Sequence, residues 1–145
     1  MTTIAGVLGT KGTDIWSITP DTSVYDAIAM MAEKGVGALL VVDTDSLAGI
    51  VSERDYARKV ILKGRSAEST PVSEIMTPEV YYIRPQQSVE EGLALMTAKR
   101  IRHLPVMDDG RLIGIVSIGD LVKSIISDQE FLIHQLETYI TGGRA

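Results

Sequence analysis

Gly49-Ile-Val-Ser-Glu-Arg-Asp55 returns 65 residues later as Gly114-Ile-Val-Ser-Ile-Gly-Asp120. In both copies an apolar run of strand length ends at a serine, and an aspartate follows three residues on, where a helical pattern begins. The register extends upstream without a gap. It joins Ile18 to Ile83, Pro20 to Pro85, Ser23 to Ser88, Met31 to Met96, Leu39 to Leu104 and Asp43 to Asp108. One offset held over so many residue types means a duplicated unit rather than shared propensity.

Each unit reads as strand, helix, strand, strand, helix. Ile18 and Ile83 sit on short extended stretches that end before a proline, where helix is disfavoured. Ser23 and Ser88 cap the next helix, the latter with Glu91 placed to complete a capping box. Val24, Ala27, Ile28 and Met31 then fall at helical spacing. Gly37 to Val42 has the length of a buried strand, Asp43 to Ser46 make a turn, Leu47 to Val51 form a strand, and Asp55 to Leu62 a helix. The second unit repeats this with strands Leu104 to Met107 and Leu112 to Val116, a turn at Asp108-Asp109-Gly110 and a helix from Asp120. The fold class is α/β, with two small sheets packed together in pseudo-two-fold symmetry. A unit of about 60 residues is marginal for a core of its own, so two copies are expected to share one. Repeat one is placed at 7–62, a polar linker at 63–71, repeat two at 72–126 and a C-terminal helical extension at 127–145.

The 145 residues are 45% hydrophobic and 23% charged, as in an ordinary globular protein, with net charge −5 and pI about 5.0. That balance gives no field for non-specific nucleic-acid or anionic-membrane binding. There is no cysteine, which excludes disulfides, thiol catalysis and cysteine-ligated metals. No cluster of His, Asp and Glu has metal-ligand spacing, so no metal is expected. No apolar run approaches the ~20 residues of a membrane span. The first dozen residues lack the charged region of a secretory signal, and a cytoplasmic location is the default.

The repeated strand-to-helix junction is where ligand chemistry is expected. It offers free N–H groups and a positive dipole end. An aspartate can accept both hydroxyls of a vicinal diol, and a serine beside it can donate or accept. The same two residue types are also common helix N-caps. Duplication suits either reading, and the residues alone leave both open. Lys11 sits between Gly9 and Gly12, where a lysine can reach an anion or simply stay solvated. Gly35-Val-Gly37 precedes a strand, whereas a dinucleotide fingerprint follows one. Met30, Met31, Met76, Met96 and Met107 read as core filler, and His134 lies alone on a helix.

The order of motifs resembles that of CBS (cystathionine-β-synthase) domain repeats over roughly Val7 to Ile126. Gly-hydrophobic-x-Ser-x-x-Asp is similar to the family's nucleotide-binding signature. Val72-Ser-Glu-Ile-Met-Thr-Pro78 resembles the start of a repeat, and Arg102-His103-Leu104-Pro105-Val106 its phosphate-side strand. The resemblance implies an adenine nucleotide (AMP, ADP, ATP or an NAD-type dinucleotide) held in clefts between the repeats. It gives Asp55 and Asp120 the ribose, Ser52 and Ser117 a place beside it, and Ile18 and Ile83 the adenine edge. Arg102 and His103, next to Pro105, go to phosphate, with Arg54 as the basic residue before Asp55 and with Lys11 and Tyr82 as further contacts. It also implies that Asp55 shares a cleft with Arg102 and His103, and Asp120 one with Gly37, Ala38 and Arg54.

Phe131, Leu132, Leu136, Tyr139 and Ile140 form an apolar stripe ended by Gly142-Gly143. It is a candidate homodimer contact, as is common among CBS pairs, or it folds back on its own core. The resulting expectation is a non-catalytic nucleotide sensor acting on a regulated partner protein. Two other readings stand beside it: an enzyme using His103 with Asp55 or Asp120 on a nucleotide, and a dimerisation module without ligand.

Overall fold

The computed structural model describes residues 2–140, so the expected helix stop at Gly142-Gly143 lies outside the described residues. The chain forms two compact units that cut across the sequence repeats. One is Ile15–Tyr81, and the other joins the first fourteen residues to Tyr82 and beyond.

In the unit Ile15–Tyr81, β1 (Ser17–Ile18) runs parallel to β2 (Ala38–Asp43), which pairs antiparallel with β3 (Ser46–Ser52). Helix α2 (Val24–Lys34) starts at Ser23, whose side chain accepts from the Asp26 N–H, and stops at Gly35 in the left-handed region. Its buried face of Val24, Ala27 and Met31 packs on Ile18, Leu39, Val41 and Val51. After β3 the expected single helix is split. One α-helical turn, α3 (Glu53–Tyr56), widens into a π-helical turn over Ala57–Ile61.

The polar stretch 63–71 is tied to α2. The Val24 N–H donates to Thr70 O and the Tyr25 N–H to Ala67 O, and Thr70 itself is buried. Beyond a 3₁₀ turn at Val72–Glu74, Thr77 and Ile50 exchange two backbone hydrogen bonds of 2.9 and 3.0 Å. This lays the segment along β3 and explains the first glycine of the repeated motif. A Cβ on Gly49 would stand 2.7 Å from Met76 Sδ and 2.8 Å from Thr77 O.

The other unit builds the same hairpin from β4 (His103–Asp108) and β5 (Arg111–Ser117), closed by Asp109 and Gly110, both at positive φ. Positive φ at both turn residues suits the right-handed twist of a two-residue hairpin. The two hairpins share an irregularity, a register shift between Val41 and Val42 and between Val106 and Met107. Ile83 stands where β1 stands in the first unit but makes a single parallel bridge, to Val106.

Helix α4 (Val89–Lys99) is capped by Ser88, which accepts from the Glu91 N–H. The expected reciprocal box does not close, because the Glu91 carboxylate accepts instead from Gln87 Nε2 at 2.9 Å. The second helix of the repeat and the C-terminal extension are one continuous helix, α5 (Ile118–Ile140). The remaining element is α1 (Ile4–Lys11), which sequence periodicity did not reveal. Ile4, Val7 and Leu8 join Ile83, Met96, Leu104, Val116 and Leu121 in one core. A Cβ on Gly114 would stand 2.7 Å from Leu8 Cδ2. Each repeated glycine therefore lies where a leading segment crosses a strand, α1 over β5 and residues 72–77 over β3.

Candidate functional site

β3 and β5 end in the same device. Ser52 Oγ accepts from the Asp55 N–H at 3.2 Å, and Asp55 Oδ2 accepts from the Ser52 N–H at 2.9 Å and its hydroxyl at 3.1 Å. Ser117 Oγ accepts from the Asp120 N–H at 3.1 Å, and Asp120 Oδ2 accepts from the Ser117 N–H at 2.8 Å. The capping reading of these residues is realised in both units. A reciprocal cap fixes the carboxylate at the helix start, with one oxygen turned back to the strand and the other outward.

A lysine meets each carboxylate, from a different place in the chain. Lys59 lies one turn beyond Asp55, 3.0 Å from Oδ1, and also donates to Ile75 O at 2.8 Å. Asp55 therefore has both oxygens engaged. Asp120 is met by Lys11 from the last turn of α1, 2.7 Å from Oδ2, and Lys11 also donates to Ile115 O at 2.6 Å. Both bonds to Asp120 fall on Oδ2, and Oδ1 accepts none among the described residues. Burial pushes the Asp120 carboxyl up, but the hydrogen bonds from Lys11 and Ser117 and the lysine charge outweigh it, so the pKa ends below the usual value.

His103 opens β4 directly opposite Ser117 and is half-buried. Burial lowers its pKa, the charge of Lys11 lowers it further, Asp120 opposes and Arg102 adds a smaller lowering. His103, Asp120, Lys11 and Arg102 thus form one electrostatic group inside one unit. The Arg102 side chain is exposed while its carbonyl accepts from the Ile118 N–H at 2.8 Å.

Ile83 is fully buried, and both its backbone groups are bonded to β4. Its N–H donates to Pro105 O, in a buried part of the strand, and its carbonyl accepts from the Met107 N–H. Ile18 is buried in β1, and Arg54 is exposed on α3. Tyr82 is not brought to Asp120. With Arg84 and Met107 to Gly110 it lines an open cleft of about 690 Å³ at the turn end of the β4–β5 hairpin, whose other end carries His103 and Ser117. Sequence reasoning did not single out Lys59, although its spacing from Asp55 is the i,i+4 signal of a helical ion pair. The Lys11–Asp120 pair spans 109 residues and leaves no local signal. Among the described residues no group of His, Asp and Glu is placed to hold a metal, and no helix is long and apolar enough to cross a membrane.

The arrangement can be set beside known proteins. The CBS domain family model matches residues 11–62 and 72–127. A mitochondrial CBS domain-containing protein of Arabidopsis thaliana, CBSX3, is 44% identical over 98% of this chain and 73% of its own length. The CBS domain-containing protein YhcV of Bacillus subtilis is 34% identical over 87% of this chain and 89% of its own. A solved CBS-domain protein from Burkholderia ambifaria is 60% identical, superposes with a TM-score of 0.86, and is matched over 88% of this chain and 96% of that one. Two matched repeats, the duplicated junction and the shared fold lead to one conclusion: the chain belongs to the CBS domain family, as a tandem pair of CBS repeats.

Proposed function

We propose that this CBS pair is a regulatory module that binds an adenine nucleotide and alters a partner protein through the bound state. The observation that carries the reading is the Asp120 corner. A helix-start carboxylate with Oδ1 open stands in one electrostatic group with Lys11, His103 and Arg102. A carboxylate is the acceptor a ribose diol needs, and Arg102 and His103 suit the phosphate attached to it. Asp55 and Ser52 repeat the junction in the other unit, with Arg54 beside them. Membership of the CBS family supports an adenosine ligand, and AMP, ADP, ATP and NAD all present the same ribose and phosphate chemistry. The module is a binder, so nucleotide recovered after prolonged saturation is expected unchanged. The exposed apolar face of α5 supports a homodimer as the acting form.

A thermal-shift panel tests the reading. Each adenine ribonucleotide that binds at tenfold excess over its Kd should add about 1.4 kcal/mol of stability. Its 2′-deoxy analogue should add less, because the aspartate loses a diol partner. Equal shifts from the ribo and deoxy forms would remove the role given to Asp55 and Asp120.

A further inference from the structure

We infer that Lys11 is a displaceable internal occupant of the Asp120 carboxylate, and that a ribose diol takes its place and frees the last turn of α1. The inference rests on the ribose role proposed for Asp120 and adds the competitor.

The argument starts from acceptor capacity. A carboxylate oxygen has two lone pairs in its plane. On Asp120, Oδ2 already receives the Ser117 N–H at 2.8 Å and Lys11 Nζ at 2.7 Å. A diol that donates one hydroxyl to each oxygen finds Oδ1 open and Oδ2 filled. The Ser117 bond is part of the cap and is fixed by the backbone, so the movable donor is Lys11. Its side chain is 32% exposed and that of Asp120 25%, so the ammonium returns to water at small cost. Ion pairs with this much solvent contact are weak enough to exchange.

The lysine is also the fastening of its own helix end. The beginning of α1 is held independently. The Ile4 N–H donates to Gln87 O, the Ala5 N–H to Pro85 O, and Ile4, Val7 and Leu8 are buried. Gly9, Thr10 and Lys11 are exposed, and Gly12 follows at φ 102. Beyond the buried Leu8, the two contacts of Lys11, to Asp120 and to Ile115 O, are what ties residues 9–11 to β5 and α5. Beyond it the chain runs through Gly12 into β1, so a freed turn is the covalent approach to the other unit. Asp55 offers no counterpart. Its lysine, Lys59, lies four residues further on and also holds Ile75 O, but the 72–77 segment stays fixed by the two Thr77–Ile50 backbone bonds, so displacing Lys59 frees no helix end.

Hydrogen–deuterium exchange on the full chain, with ADP as probe, tests this together with titration calorimetry. Without nucleotide, Lys11→Met should speed exchange of amides 9–12 about tenfold and leave those of 5–8 protected. Saturating ADP should speed the same amides in the unsubstituted protein and add nothing in Lys11→Met. The binding event that Asp120→Ala removes should tighten three- to tenfold in Lys11→Met. Weaker binding in Lys11→Met would overturn the inference by making Lys11 a ligand contact. Bound ADP with unchanged exchange at 9–12 would overturn it as well and leave the nucleotide reading standing. ADP that binds nowhere overturns the nucleotide reading and the competition with it, while unaltered exchange in nucleotide-free Lys11→Met refutes the tether by itself.

Discussion

Asp55 and Asp120 perform the same capping task, yet the charge around them divides unequally, and titration makes the difference measurable. His103 is held below its usual pKa of 6.5 by burial first, then by Lys11 and Arg102, with Asp120 opposing. The folded protein therefore binds this proton less readily than the unfolded chain. The stability contribution is complete above about pH 6.5 and declines as pH falls from there to the lower folded value. Replacing His103 with Gln should flatten that part of the curve, measured as urea-unfolding stability from pH 7.5 to 5. Asp120 acts in a lower window. Its folded pKa lies below 3.8, so its contribution is present above that value and disappears as pH falls through the folded one. A phosphate drawn to His103 would raise the imidazole pKa. Nucleotide binding near pH 6 should then take up protons, seen as a dependence of the calorimetric heat on buffer ionisation enthalpy. An uptake unchanged in His103→Gln would separate the phosphate from this residue. The pairing of serine with aspartate was legible in the sequence because both belong to one local turn. The cation on Asp120 was not, because only the docking of α1 brings it there.

At the scale of elements, the duplicated register carried the strands, helices α2 and α4 and their serine caps. These depend on neighbours within a few residues, and both copies obey the same rules. Three features escaped. Helix α1 has only Ile4, Val7 and Leu8 on its buried face, too short a run to show a period. The π-helical turn at Ala57–Ile61 shares its composition with an ordinary helix. The continuity of α5 was hidden because its first turns, anchored by the buried Leu121, and its exposed remainder look like separate segments. The glycines test the crossing segments that the register alone could not explain. Gly114→Ala would press a Cβ on the flexible end of Leu8, whereas Gly49→Ala would press one on the backbone oxygen of Thr77. Overpacking of this kind costs ~1–3 kcal/mol, and Gly49→Ala should lie at the upper end because backbone yields less than a side-chain tip. A larger loss in Gly114→Ala by urea unfolding would contradict that order. Helix ends offer a converse case. Gly35 closes α2 in the left-handed region, and Arg100, 65 residues on, closes α4 at φ 56. Left-handed backbone costs a non-glycine residue roughly 1–2 kcal/mol, part of which glycine returns in unfolded-state entropy. Arg100→Gly should therefore raise the melting midpoint, and a lowered one would mean that the arginine side chain does more than close the helix.

At the scale of the whole molecule, α5 carries an apolar stripe whose outer part, from Leu132 to Tyr139, is exposed. Leu121 is its one buried residue among those described. Ile118, Val122, Ile125, Leu132, Leu136 and Tyr139 follow one another at steps of three and four, with Gln129 filling the single gap. That is the 3.5-residue period of a seam between two helices. Phe131, Leu132, Leu136 and Tyr139 are 67%, 58%, 54% and 84% exposed, and grouped apolar exposure of this kind marks an interaction surface. A second copy of the chain suits it, and the charges choose the direction. A parallel pair would place Glu130 and Glu137 level with themselves. An antiparallel pair centred on Gln129 places Lys123 of one protomer level with Gln135 of its partner, two residues from the partner's Glu137, and either direction closes through a two-fold axis. The chain should therefore sediment as a dimer, and Leu132→Glu should return it to monomer with the fold retained in circular dichroism. Because the chain has no cysteine, single introduced thiols report the geometry without background. Gln129→Cys should form a disulfide with its own copy. Val122→Cys and Leu136→Cys should each fail to do so alone, yet link when the two variants are mixed, since these positions lie equally far on either side of Gln129. Self-linking of all three variants would establish a parallel pair, and a chain that stays monomeric at high concentration would leave the stripe to a different partner.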